Sequence, residues 1–175
     1  MSPPDRFNKD SRERWLAFLQ KSHPDIDPQA TRLFEDFRVV AHQFHQLSEN
    51  NLDSSGLSYA QYRVLMNLRF CEWERKGDGL NPSEISAAQG TSRNTISSLI
   101  RSLEKDGYIE RHLDSDDRRR FNIRLSEAGR EIAFEHEHNH FQLIANLFSV
   151  LTPQEIETLS TLLQKLGNRA GTLKV

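Results

Sequence analysis

The stretch that decides the fold runs from Pro82 to Ser126 and reads PSEISAAQGTSRNTISSLIRSLEKDGYIERHLDSDDRRRFNIRLS. Its proline is typical of a first helical residue, so a short helix is predicted at the start of the stretch. Gln89-Gly90-Thr91 then forms a three-residue turn that contains glycine, as a helix-turn-helix requires. Two runs of alternating residues, Tyr108–Leu113 and Phe121–Leu125, predict a β-hairpin after the second helix.

The second helix of this pair is predicted to have two different faces. Apolar residues at helical spacing form a stripe that faces a core; they are Ile96, Leu99, Ile100 and Leu103. The opposite side carries short hydrogen-bonding groups and guanidinium groups, which can contact base edges and phosphates in a DNA major groove. These residues are Ser92, Arg93, Asn94, Thr95, Ser97, Ser98 and Arg101. The alternative is an ordinary amphipathic surface helix whose polar face contacts solvent.

The predicted hairpin has a charged tip between its strands. It contains Asp117 followed by three consecutive arginines, Arg118, Arg119 and Arg120. Adjacent positive charges repel one another, so this tip is favoured where it meets an anion, and an arginine that enters a narrow minor groove is the obvious use. The alternative is a solvent-exposed turn in which neighbouring aspartates neutralise the arginines.

Taken together, these motifs resemble the winged helix-turn-helix of the MarR family of bacterial transcriptional regulators. The resemblance covers about residues 30–170 and is carried by LNPSEI at 80–85, SRNTIS at 92–97, LEKDGYIER at 103–111 and the Asp-x-Arg of the hairpin tip. It implies a mainly α fold, an α+β winged helix whose N- and C-terminal helices join two subunits.

The resemblance also implies a function. A homodimer would bind double-stranded DNA at a pseudo-palindromic operator and regulate transcription in the cytoplasm. A repressor is the expectation, although the residues alone do not decide between repression and activation. A small-molecule effector would release or modulate the DNA complex from a crevice between the DNA-reading domain and the dimerisation helices. Candidates to line that crevice are His42, His45, Tyr59, Tyr62 and Arg63.

The chain is predicted to divide into four segments by role. Residues 1–27 form an N-terminal extension with a short helix, and residues 28–57 form the first dimerisation helix and a loop. Residues 58–126 form the winged helix-turn-helix, and residues 127–175 form the C-terminal linking and dimerisation helices.

Some finer boundaries are also predicted. The helix that opens at Ser58-x-x-Gln61 is expected to give way to a polar connection at Glu72–Gly79. The last helix is expected to fade at Gly167 and Gly171.

Composition limits the function classes. The 175 residues predict one domain or one subunit with a helical extension, and no run is long and apolar enough for a membrane span. The single cysteine, Cys71, fits a reducing cytosol, and its neighbours Glu72 and Glu74 disfavour a reactive thiolate. A net charge of −2 argues against a general polyanion binder, so any positive surface must be local.

One competing motif lies in the predicted linking helix. Residues 136–140 match H-E-x-x-H, which supplies two zinc ligands and a general base. Catalytic zinc needs a third protein ligand and an open cleft, and no recognised continuation follows, so the chain is not expected to be an enzyme or to require a cofactor.

A zinc-responsive regulator of the same fold is a further alternative. His136 and His140 resemble the ligand pair that zinc-sensing family members carry in this helix, and His45 falls near another ligand. The position of a further ligand holds Arg63, whose charge repels a metal. The other interpretations are a solvated His/Glu face near the dimer, and a winged-helix interaction module that has lost DNA binding.

Overall fold

The computed structural model describes residues 9–52, 55–75, 79–113 and 121–173. In these ranges the chain forms helices and one small antiparallel sheet, which confirms the predicted fold class. The elements are α1 (Lys9–Ser22), α2 (Pro28–Leu52), α3 (Tyr59–Arg75), α4 (Pro82–Gln89), α5 (Arg93–Lys105), β1 (Ile109–Leu113), β2 (Phe121–Leu125), α6 (Glu127–Phe148) and α7 (Pro153–Thr172). None of the described helices is long and apolar enough to cross a membrane.

The chain separates into two compact units, residues 1–50 and 51–175. In the first unit, the Asp27 carboxylate accepts the Gln29 N–H at 2.8 Å and caps α2, as its position before a proline predicts. Trp15 stacks on Phe18 with 5.5 Å between ring centroids and is 46% exposed, so within this unit it packs at the surface. The division into four segments by role stays a prediction.

The second unit has a hydrophobic core built from every element of the predicted winged helix. The predicted stripe of α5 faces this core: Ile96, Ile100 and Leu103 are buried, and Leu99 packs against it. The remaining buried members are Leu57, Val64, Leu65, Leu68, Cys71, Leu80, Ile85, Ile109, Ile123, Leu125 and Ala133. Because α5 packs on this core through one face, its polar face points away from it.

Side-chain caps fix where the helices of this unit begin. The Ser58-x-x-Gln61 motif at the start of α3 forms a capping box: Ser58 Oγ accepts the Gln61 N–H at 3.2 Å, and Gln61 Oε1 accepts the Ser58 N–H at 2.9 Å. Further N-caps are Asn81 for α4, Ser92 for α5, Ser126 for α6 and Thr152 for α7. Each cap satisfies backbone N–H groups that the helix itself leaves unpaired.

An isolated β-bridge, which the sequence did not predict, joins Leu80 to the hairpin. Leu80 N–H donates to the Ile123 carbonyl at 3.0 Å, and Ile123 N–H donates to the Leu80 carbonyl at 2.8 Å. The preceding Gly79 has φ of +76°, and a Cβ there would lie 2.5 Å from the Ile123 oxygen, so only glycine fits. The start of α4 is thereby fastened to β2.

Two predicted boundaries were wrong. The structure continues α3 to Arg75 instead of ending it before Glu72, because Cys71 packs in the core and the Glu72 carboxylate is held by Arg130 at 2.9 Å. In α7 only the Gly167 part of the prediction was wrong: the helix passes through Gly167 and ends at Thr172, one residue after Gly171. An isolated glycine weakens a helix by only about 1 kcal/mol relative to alanine, and the capping box at Thr152 supports the other end.

Candidate nucleic-acid interface

The polar face of α5 is open to a ligand along its whole length. The side chains predicted to read DNA are all exposed; they are Ser92, Arg93, Asn94, Thr95, Ser97, Ser98 and Arg101. The serine hydroxyls are already oriented, because Ser97 donates to the Arg93 carbonyl at 2.9 Å and Ser98 donates to the Asn94 carbonyl at 3.2 Å. Their oxygens still have a lone pair that can accept a hydrogen bond from a base.

Contacts from α3 and α4 hold α5 in place. Gly90 has φ of +64° and closes the turn, and the Ser86 hydroxyl donates to the Thr91 carbonyl at 2.6 Å. The Gln61 side-chain amide donates to the Ser102 hydroxyl at 3.1 Å, so α3 braces the far end of α5. These contacts fix the position of α5 relative to α3 and α4.

The base of the hairpin is described, but its tip is not. The strands pair antiparallel with Ile109 opposite Leu125 and Leu113 opposite Phe121. The predicted DNA contacts Asp117, Arg118, Arg119 and Arg120 lie outside the described residues, and their roles stay predictions.

A pair of charged residues that the sequence analysis missed joins the hairpin to α5. The Arg111 Nε lies 2.9 Å from each carboxylate oxygen of Glu104, and a terminal nitrogen of the same guanidinium lies 2.9 Å from the second oxygen. The guanidinium carbon also lies 4.8 Å from the centre of the Phe121 ring. Arg111 therefore contacts α5 and β2 at once.

The linking helix α6 is fixed to the same unit at its first turn. Ser126 N–H donates to the Tyr108 carbonyl at 3.0 Å, and Ser126 Oγ donates to the Gly107 carbonyl at 2.6 Å. Gly129 lies against the Tyr108 carbonyl, so close that a Cβ on residue 129 would be 1.9 Å from the Tyr108 oxygen. The Arg130 guanidinium hydrogen-bonds both oxygens of Glu72 on α3, and this hydrogen bonding raises the pKa of Arg130.

A group of aromatic and histidine rings lies between α3 and α6. The His140 ring stands edge-on to Tyr62 with 5.2 Å between centroids, and its centroid is 5.6 Å from that of Tyr59. Burial raises the pKa of Tyr62 to about 12 and lowers the pKa of His140. The Tyr62 hydroxyl and the His140 Nδ1 are both buried, and neither has a hydrogen-bond partner among the described residues.

The other predicted effector and metal residues are distributed over both units. Arg63 lies with its guanidinium carbon 6.0 Å from the Tyr59 ring centre, next to this group. His42 and His45 lie on α2 in the first unit, where the His45 Nε2 is 3.6 Å from the Glu49 carboxylate. The structure thus brings Tyr59, Tyr62 and Arg63 together within one unit.

The interpretation of the α6 histidines as part of a solvent-exposed His/Glu face was wrong for His136 and His140, which are buried. His136 and His140 are 6% and 7% exposed, whereas His138 is exposed. The reason is that positions 133, 136 and 140 share the side of α6 that packs inward. Within the described ranges, no group of three or more His, Cys, Asp or Glu residues could hold a metal ion, and zinc at His45, His136 and His140 stays a prediction.

Comparisons with known proteins are consistent with this geometry. Residues 55–120 match the model of the MarR family. The chain is 29% identical over 165 residues to the transcriptional repressor MprA of Escherichia coli, which covers 93% of this chain and 90% of that protein. It is 23% identical over 154 residues to the transcriptional repressor YetL of Bacillus subtilis, which covers 88% and 90%.

Solved structures give the same result. The chain superposes on the Staphylococcus aureus MepR–DNA complex with a TM-score of 0.70 and 26% identity, over 77% of this chain and 93% of that one. The MarR family regulator AbsC of Streptomyces coelicolor gives a TM-score of 0.75 at 21% identity, over 85% and 98%, and shows the fold alone. These relatives are transcriptional regulators, so the prediction that the chain is not an enzyme is confirmed.

Proposed function

Because the chain belongs to the MarR family of DNA-binding winged-helix transcriptional regulators, we propose that it acts as a homodimeric repressor on a pseudo-palindromic operator. The observation that carries the proposal is the polar face of α5, which is exposed from Ser92 to Arg101 on a helix held by contacts from α3, α4 and β1. Two of the relatives, MprA and YetL, are transcriptional repressors, which supports repression.

Within this proposal the DNA contacts divide by chemistry. Arg93, Asn94, Thr95, Ser97 and Ser98 read base edges in the major groove, where amide and guanidinium groups distinguish base pairs. Phosphate contacts come from Arg101 and from the arginines of the hairpin tip, one of which enters the minor groove. Affinity therefore falls as salt rises, since each phosphate contact releases bound counterions.

The dimer is supported by the surface of α7. None of its described residues is buried, and its apolar stripe is between 37% and 56% exposed. The stripe consists of Ile156, Leu159, Leu162, Leu163 and Leu166. A helix that leaves such a stripe in water is unfavourable, and a second copy of the chain covers it in the proposed dimer.

The proposed effector site is the ring group of Tyr59, Tyr62 and Arg63 in the second unit, and a role for His42 and His45 of the first unit stays a prediction. The Tyr62 hydroxyl and the His140 Nδ1 are buried and have no hydrogen-bond partner in the part of the chain that the structure describes, which favours a small molecule with an aromatic or apolar body and one hydrogen-bonding group. The proposal needs no cofactor.

Selection of bound sites from random duplex DNA tests the base-reading role. The wild type should enrich a sequence with two-fold symmetry, and Asn94→Ala should lose the preference at one base pair of each half-site. Asn139→Ala removes an amide that is also exposed, on α6, and should leave the selected sequence unchanged. An identical selected sequence for wild type and Asn94→Ala would exclude Asn94 from base reading.

A further inference from the structure

One face of the hairpin begins in the hydrophobic core and then leaves it. Ile109, Ile123 and Leu125 on this face are buried. The next residues toward the tip are Arg111, which lies opposite Ile123, and Phe121, which lies opposite Leu113. Leu113 itself is 71% exposed, so apolar packing no longer holds the hairpin at this level.

At the point where the core ends, the Arg111 guanidinium replaces it as the link to α5. Two of its nitrogens donate to the Glu104 carboxylate, and each of these N–O distances is 2.9 Å. Its guanidinium carbon lies 4.8 Å from the centre of the Phe121 ring. Two parallel hydrogen bonds and a planar stacking contact restrict the angle of the group far more than a single ion pair does. A second arginine of this region, Arg101, instead donates from Nε to the Ser97 carbonyl of its own helix at 3.2 Å.

We propose that Arg111 is a positioning residue for DNA recognition: it clamps Glu104 of α5 and Phe121 of β2 together and so fixes the angle between the helix in the major groove and the hairpin tip in the minor groove. This inference rests on the proposed function, because it concerns how the two DNA-reading elements are held relative to each other.

The length of the hairpin makes this angle important. The described strand continues two residues past Arg111 to Leu113, about 7 Å at 3.3 Å per residue, so a tilt of about 15° at the clamp moves the end of this strand by about 2 Å. The minor groove is only about 6 Å wide, so a tilt at the clamp is enough to misplace an arginine predicted to enter it. The Arg111–Glu104 ion pair at the surface contributes little to the stability of the fold, but through this angle it can contribute to DNA affinity.

The charge of Glu104 separates this role from direct contact with DNA. If Arg111 itself bound a phosphate, Glu104 would be an unfavourable negative charge near a polyanion, and its removal would strengthen binding. If Arg111 positions the hairpin, removal of the Glu104 charge weakens the clamp, and binding becomes weaker although the protein has become more positive.

The first test is Glu104→Gln, which keeps the shape of the side chain. Its affinity for the selected operator should fall about fivefold, because the weakened clamp no longer holds the hairpin arginines against the DNA. Urea unfolding followed in parallel shows whether the variant is folded. Binding as tight as or tighter than that of the wild type would overturn the inference.

The second test is a double-mutant cycle with the hairpin tip. Arg111→Met should weaken binding in the wild-type background. It should have almost no effect in an Arg119→Ala background, because the DNA contact that depends on the position of the hairpin tip is already absent there. Arg101→Met is the matched control: its loss should add fully to that of Arg119→Ala and should lower the salt slope by about 0.9. Additive losses for Arg111→Met would overturn the inference. Failure of the wild type to bind any duplex would instead refute the proposed function, and the inference with it.

Discussion

The close approach of α6 to the start of β1 predicts that Gly129→Ala strongly destabilises the protein. A Cβ at this position would lie 1.9 Å from the Tyr108 oxygen, 2.9 Å from the Tyr108 carbonyl carbon and 3.3 Å from Leu125 Cδ2. Because Cβ contacts below 3.0 Å essentially never occur, α6 has to move away, and this weakens the hydrogen bond from the Ser126 N–H to the same carbonyl.

The magnitude follows from these contacts. Overpacking costs about 1–3 kcal/mol, and loss of the backbone hydrogen bond adds about 1 kcal/mol or more. Alanine returns about 1 kcal/mol through its higher helix propensity, so the free energy of unfolding should fall by about 1–3 kcal/mol.

Urea unfolding followed by circular dichroism, at one fixed protein concentration, measures this change. Gly171→Ala is the matched control, because it makes the same substitution in α7, where no atom of the described residues beyond the adjoining helix backbone lies within 4 Å of the added Cβ. Its stability should equal that of the wild type or exceed it by up to about 1 kcal/mol. Equal urea midpoints for Gly129→Ala and Gly171→Ala would refute the reasoning.

Two further predictions concern the buried ring group. Tyr62→Phe removes a buried hydroxyl that has no partner among the described residues, so urea unfolding should show unchanged stability or a gain of up to about 1–2 kcal/mol, and a clear loss would contradict this. Because burial lowers the pKa of His140, the unfolded chain binds a proton that the folded chain does not, and stability should fall as the pH drops below about 6.5 and through the folded-state pKa. His140→Gln should flatten this part of the profile and the exposed His138→Gln should retain it; the same profile for both variants would be inconsistent with the assignment.

Features set by neighbours along the chain were predictable from the sequence. The apolar spacing of α5 gave its buried face, and with it the exposed face that we assign to DNA. The caps at Asp27, Ser58 and Ser126 were predictable for the same reason, since a cap bonds backbone groups two or three residues away.

Features set by distant contacts were not predictable. The bridge between Leu80 and Ile123 joins residues more than forty positions apart, and no local pattern marks it. Gly129 reads as an ordinary glycine of a family motif until the Tyr108 carbonyl is placed beside it. The burial of His136 was not predicted, because its polarity suggested a solvated face. His136 lies on the side of α6 that packs inward, and this packing buries it.

The central claim is that two copies of the chain, each presenting α5 and a hairpin, bind one duplex together. The most direct measurement is the mass of the complex with an operator duplex, combined with a titration of affinity over several salt concentrations. We predict two chains per duplex and an affinity that falls steeply with salt, by about 0.9 in log affinity per log salt for each phosphate contact. A monomer that binds no duplex even at low ionic strength would contradict the account.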